Sequence, residues 1–166
     1  MNINFLLILI TALVPLVVGT IWYNPKVFGT AWMQAAEMTE EKMKNPPMVK
    51  IFLLSFLFAF LLSFSMQFMV IHQYHLYSLV ADTVKPGDTT SVDALWLSSS
   101  LEAYGKLFRT FKHGAFHGLL TGIFMVLPII GTHALYEKKT AKYIFINAGY
   151  WMVSMMIMGG ILCQWA

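Results

Sequence analysis

The sequence predicts an all-α integral membrane protein: a bundle of four transmembrane helices with short interfacial helices in its first and second loops. Three observations lead there. All eleven basic and eight acidic residues fall in three windows, Lys26–Lys50, Asp82–Lys112 and Glu137–Lys142. The four stretches around these windows carry no formal charge and are rich in Leu, Ile, Phe, Met and Val. Each is long enough to cross a hydrocarbon core about 30 Å thick, which takes ~20 apolar residues of helix. The composition agrees, at 58% hydrophobic and 11% charged, against about 25% charged in a soluble domain. Four such helices use more than half the chain, so residues 1–166 read as one membrane domain.

The first helix is expected over about 3–23. It could be mistaken for a signal peptide, but it has no basic residue before Lys26 and no clear A-x-A site, so a retained helix is expected. Pro15 sits mid-span, where it removes a backbone donor. Trp22 and Tyr23 mark the interface and Asn24-Pro25 stops the helix. A surface segment follows over about 27–44, carrying Phe28, Trp32 and Met33; Thr39-Glu40-Glu41-Lys42 resembles the start of a short helix.

The second helix is expected over about 51–79, because no charge appears before Asp82. Ser55, Ala59, Ser63 and Gln67 recur every four residues, so they form one stripe. In lipid, small and polar residues face neighbouring helices. The second loop opens with the turn residues Lys85-Pro86-Gly87-Asp88. An amphipathic interfacial helix is expected over about 92–112, with Leu97, Leu101, Tyr104, Phe108 and Phe111 on its apolar face.

The third helix is expected over about 113–136, with Pro128 as a kink. Gly114, Gly118 and Gly122 repeat at steps of four, a ridge that admits another helix closely, within the chain or across a dimer. A lysine-rich turn leads to the fourth helix, about 143–164, which carries Asn147. Loops one and three hold seven basic residues and the opposite side four. The excess predicts loops one and three in the cytoplasm and both termini outside.

Chemistry is sparse. No phosphate loop, nucleophile elbow, H-E-x-x-H or dinucleotide fingerprint is present, and nothing supports nucleic-acid binding. No charged residue lies within a span, which argues against a proton-coupled transporter. Four histidines gather at one interface: His72 and His75 end helix two, and His113 and His117 open helix three. They are the metal-ligand candidates, for Zn or Cu. The plainer alternative is interfacial histidines bonded to water, headgroups or backbone. On that alternative no cofactor is expected. Met152, Met155, Met156 and Met158 do not share a face and read as apolar filling. The lone Cys163 has no cysteine partner within the chain.

One segment is distinctive: Gly19-Thr20-Ile21-Trp22-Tyr23-Asn24-Pro25-Lys26-Val27-Phe28-Gly29-Thr30-Ala31-Trp32. It resembles the bacterial membrane family called domain of unknown function 1761, whose members carry G-x-x-W-Y-x-P-x-x-F-G-x-x-W after the first helix. Gly149-Tyr150-Trp151 and Met158-Gly159-Gly160 are similar to its last helix. The resemblance implies a four-helix protein of the bacterial inner membrane and no assigned activity. Physically, Trp22, Tyr23, Pro25, Phe28, Gly29 and Trp32 read as a staple to the membrane surface, or as a cradle for a ligand or partner.

Three functions therefore compete. The first expectation is a non-enzymatic interaction or scaffold component in the lipid bilayer, a homo-oligomer or the subunit of another membrane protein. The second is a small-solute or ion permeation protein lined by Ser55, Ser63, Gln67 and Asn147. The third is a metal-binding protein using the interfacial histidines.

Overall fold

The computed structural model describes residues 3–39 and 41–166. Every regular element among them is helical. Four helices are long and apolar enough to cross a membrane: Phe5–Trp22, Met48–Val70, Phe111–Tyr136 and Ala141–Trp165. They support a membrane location. Their outward faces expose Leu6, Val17, Phe58, Phe124 and Phe145, an apolar surface compatible with lipid.

Both prolines inside spans mark a discontinuity. The first span consists of Phe5–Thr11 and Val14–Trp22, with Pro15 as the second residue of the restart. The third runs Phe111–Thr121, then a wide π-turn over Gly122–Val126, then Leu127–Tyr136 with Pro128 second. Proline cannot donate to the carbonyl one turn back, and the wider turn absorbs that missing bond.

The third and fourth spans pack backbone to backbone. A methyl group on Gly114 would overlap the Gly159 carbonyl oxygen, and one on Gly118 the Met155 carbonyl oxygen. A methyl on Gly122 would lie 2.9 Å from Met152 Cα. The glycine ridge is thus occupied within the chain. The core forms alongside it, from Ile8 of the first span, Met66 and Val70 of the second, and Met155, Met158 and Leu162 of the fourth. Met155 and Met158 fill this apolar core. On the second span Ala59, Ser63 and Gln67 are buried and Ser55 is half-buried, so the small-residue stripe faces inward. Ser63 Oγ donates to the Ile8 carbonyl at 3.1 Å, tying this stripe to the first span.

Three expected boundaries are corrected. The second helix does not run to residue 79. It stops at Val70, Ile71 is extended (φ −110°, ψ 97°), and a separate helix covers Gln73–Leu79. The reason is tertiary. Gln73 is buried, and its Nε2 donates to the Tyr104 and Leu107 carbonyls at 2.8 and 3.0 Å. The interfacial helix does not run to residue 112 either. It covers Val92–Tyr104, starts at a Ser91 cap bonded to the Ala94 N–H, and ends at Gly105. Phe108 and Phe111 therefore do not continue its apolar face: Phe108 lies in a turn with φ 61°, and Phe111 begins the third span behind a Thr110 cap. In loop one, the wide turn Pro25–Gly29 and the helix Thr30–Ala35 form the first part of the expected surface segment, and residues 41–43 form a turn where the start of a short helix was expected. Thr39 Oγ accepts from the Lys42 N–H at 3.2 Å without a helix following; Glu40 lies outside the described residues.

Candidate metal centre

Two ends of the bundle hold the residues singled out above. At the first, the second span ends and the third begins. His72 stands at the residue before Gln73–Leu79, just past the break at Ile71, and its side chain makes no capping bond. His113 and His117 lie one turn apart at the start of the third span, on one face. The break in the second span swings His72 across to them. His72 Nε2 and His113 Nε2 are 2.9 Å apart, so one ring donates and the other accepts in opposite tautomers. One ring nitrogen each from His72, His113 and His117 lies within 4.8 Å of the others. The ring centroids are 5.0, 5.0 and 4.5 Å apart. Zinc bound tetrahedrally at about 2.0–2.1 Å needs ligand nitrogens roughly 3.3 Å apart. The 2.9 Å contact is shorter than that, and no spacing within the group exceeds 4.8 Å.

His75 is outside this group of three. Burial, then the neighbouring His113 and His75, hold the His72 imidazole below its ordinary pKa. It is therefore neutral near pH 7, the form that binds metal. Three imidazoles without thiolate or carboxylate suit Zn, Cu or Ni and not Mg or Ca. Three protein ligands leave a fourth position open.

The surroundings are tied to the end of the fourth span. The Phe111 N–H donates to Gln164 Oε1 at 3.0 Å, the Cys163 thiol to the Phe108 carbonyl at 3.3 Å, and the Arg109 guanidinium to the Ala166 carbonyl. Two buried amides at this end are half-satisfied. Gln67 Oε1 accepts from the Tyr74 hydroxyl at 3.0 Å. Gln67 Nε2 and Gln73 Oε1 have no partner among the described residues.

At the opposite end, Trp22 Nε1 donates to the Ile146 carbonyl and the Tyr23 hydroxyl to Asn147 Oδ1, both at 3.0 Å. The Tyr150 hydroxyl returns to the Pro15 carbonyl at 3.0 Å. Trp22 packs on Phe28 at 4.5 Å and Tyr23 on Trp32 at 5.3 Å. Gly29 is required, because a side chain there would overlap the Tyr23 carbonyl. Pro25 starts the wide turn. Glu37 and Lys139 form an ion pair at 3.0 Å between loops one and three. These residues clamp the first span and its loop to the fourth span.

The polar residues expected to line a path do not meet. Ser63 bonds into the first span, Gln67 is buried near the histidine end, and Asn147 serves the aromatic clamp. The cavities beside Leu53, beside Ser98 and beside Pro128 are lined by none of them.

Over residues 6–163 the chain matches the family described as protein of unknown function (DUF1761). It belongs to that family. No curated protein and no solved structure matches it. In this DUF1761 member, residue patterns failed to reveal three participants. Phe108 read as part of a helix face. Gln73 carried no signal, since a buried amide after an apolar run looks like any polar helix residue. Tyr150 was visible only as part of the family resemblance.

Proposed function

We propose that this protein binds a transition-metal ion, zinc or copper in class, at the outer end of a four-helix membrane bundle. The observation that carries the reading is the convergence of His72, His113 and His117, with ligand nitrogens within 4.8 Å of one another. The lysine excess in loops one and three supports a cytoplasmic aromatic end, an external histidine end and termini outside. The family resemblance supports a bacterial inner membrane. The scaffold reading loses one of its supports, because the glycine ridge is filled within the chain by the fourth span.

The test is metal content and chelator competition on the full chain purified in detergent, beside the double variant His113→Ala, His117→Ala. A stoichiometric ion present in the native protein and lost in the variant is the expected result. No histidine-dependent metal would leave these side chains as interfacial anchors.

A further inference from the structure

We infer that Phe108 is the positioning residue of the histidine centre, its ring holding the His113 imidazole in the plane that metal binding needs. The inference rests on the metal-binding reading above.

A ligand imidazole needs a fixed ring plane. In most histidine metal sites the second ring nitrogen provides it by donating to a carboxylate, a carbonyl or water. Among the described residues, the three rings here make one ring hydrogen bond, the contact between His72 and His113. Orientation must come from elsewhere. The Phe108 ring stacks on His113 at 4.9 Å with 17° between planes. It also meets His72 edge-on, at 6.4 Å and 85°. One side chain therefore touches two of the three ligands, in the arrangements aromatic pairs prefer.

The backbone points the same way. Phe108 has φ 61°, a region that bulky L-residues seldom enter. Among the described residues, the others with positive φ are Glu37, Asn45, Gly87 and Lys138, where glycine or a polar side chain suffices. Phe108 is the aromatic one among them. Its carbonyl is held by the Thr110 N–H at 2.8 Å and by the Cys163 thiol at 3.3 Å. Glycine or asparagine would make this turn with less strain. A phenyl ring there is accounted for by what it touches, and strain of this kind gathers at functional sites.

A stacked ring fixes the imidazole plane but leaves its second nitrogen unbonded. The tautomer of His113 can then switch when its Nε2 leaves His72 for a metal, without breaking a bond to a carboxylate.

The experiment uses Co²⁺ as the probe, bound to the full chain in detergent, with affinity and the visible absorption band as readouts. Phe108→Ala removes the ring and keeps the strained turn; Phe108→Tyr keeps the ring. The Ala variant should bind Co²⁺ about tenfold more weakly or worse with an altered band, and the Tyr variant should match the native protein. If the Ala variant fails to fold, Phe108→Gly relieves the turn and removes the ring; weaker binding in that folded variant supports the inference. Native affinity and an unchanged band in either folded, ring-less variant would overturn it. If Co²⁺ binding by the native protein is unaffected by His113→Ala, the metal reading itself fails, and the Phe108 assignment falls with it.

Discussion

Trp22, Tyr23 and Tyr150 direct their polar atoms at acceptors on neighbouring spans, each bond 3.0 Å long. His72, His113 and His117, at the opposite end, direct theirs at one another. The aromatic end also has glycines where rings need room, as at Gly149 beneath Trp22. The histidine end instead holds the unpartnered amide atoms of Gln67 and Gln73 and the strained turn at Phe108. Buried polar groups are normally paired, and an end that leaves two without a partner among the described residues needs a reason. The more distinctive stretch of sequence ties spans together, and the less distinctive one brings three imidazoles close to one another.

The largest effect expected is one that removes the contrast altogether. Gly118→Leu forces a side chain into the Met155 carbonyl and should cost about 3 kcal/mol or more. Both ends should fail together, read as a collapsed melting temperature and a changed elution profile in detergent. An unaltered profile and melting temperature would show that the seam does not join them.

Next come changes that separate the ends. His117→Ala should abolish stoichiometric metal while leaving metal-free stability within about 1 kcal/mol of the native protein. A large loss of stability without metal would instead assign the histidine end a packing role. Trp22→Phe removes the donor to the Ile146 carbonyl and should cost about 1 kcal/mol, with metal content untouched. Metal loss in that variant would mean the two ends are coupled.

The smallest effect is the pH dependence of the Glu37–Lys139 pair. The bond to Lys139 and its charge hold the Glu37 carboxyl below its ordinary value of 4.5. Between the two values the unfolded chain binds the extra proton, so the pair's stabilisation is present above pH 4.5 and fades as pH falls below it. Lys139→Ala should therefore melt slightly lower than the native protein at neutral pH and low salt, and the gap should close in acid. A gap that persists unchanged in acid would exclude the ion pair as its cause. Glu37 is exposed, so the difference should also shrink in high salt.

The four spans were legible because charge is confined to their first turns and the loops, and their lengths fit a bilayer. The ridge of Gly114, Gly118 and Gly122 was legible because one residue type recurs at helical spacing, although its partner was not. The pairing of His113 with His117 followed from their step of four. The stop at Val70 was not legible. No glycine, proline or charge lies between it and Asp82, and what ends the helix is Gln73 reaching carbonyls 31 and 34 residues away. Phe108 was misread for a related reason. Its spacing from Tyr104 and Phe111 is helical, while the turn that holds it depends on Cys163 and Gln164, far along the chain. Trp22 and Tyr23 read as surface anchors because local sequence shows a helix end and not a distant acceptor.

The clamp has a consequence for how the chain is made. Trp22 and its acceptor Ile146 are 124 residues apart. At about 5–20 residues per second, roughly 6–25 s of synthesis separate them. During that interval the first span resides in the bilayer with no fourth span to dock on. Its indole N–H and phenol are then left to headgroups and water, where such rings are at home. The same two side chains become the latch that closes the bundle once the fourth span arrives. A nascent chain released before Ile146 lacks both acceptors, and its first helix is never latched.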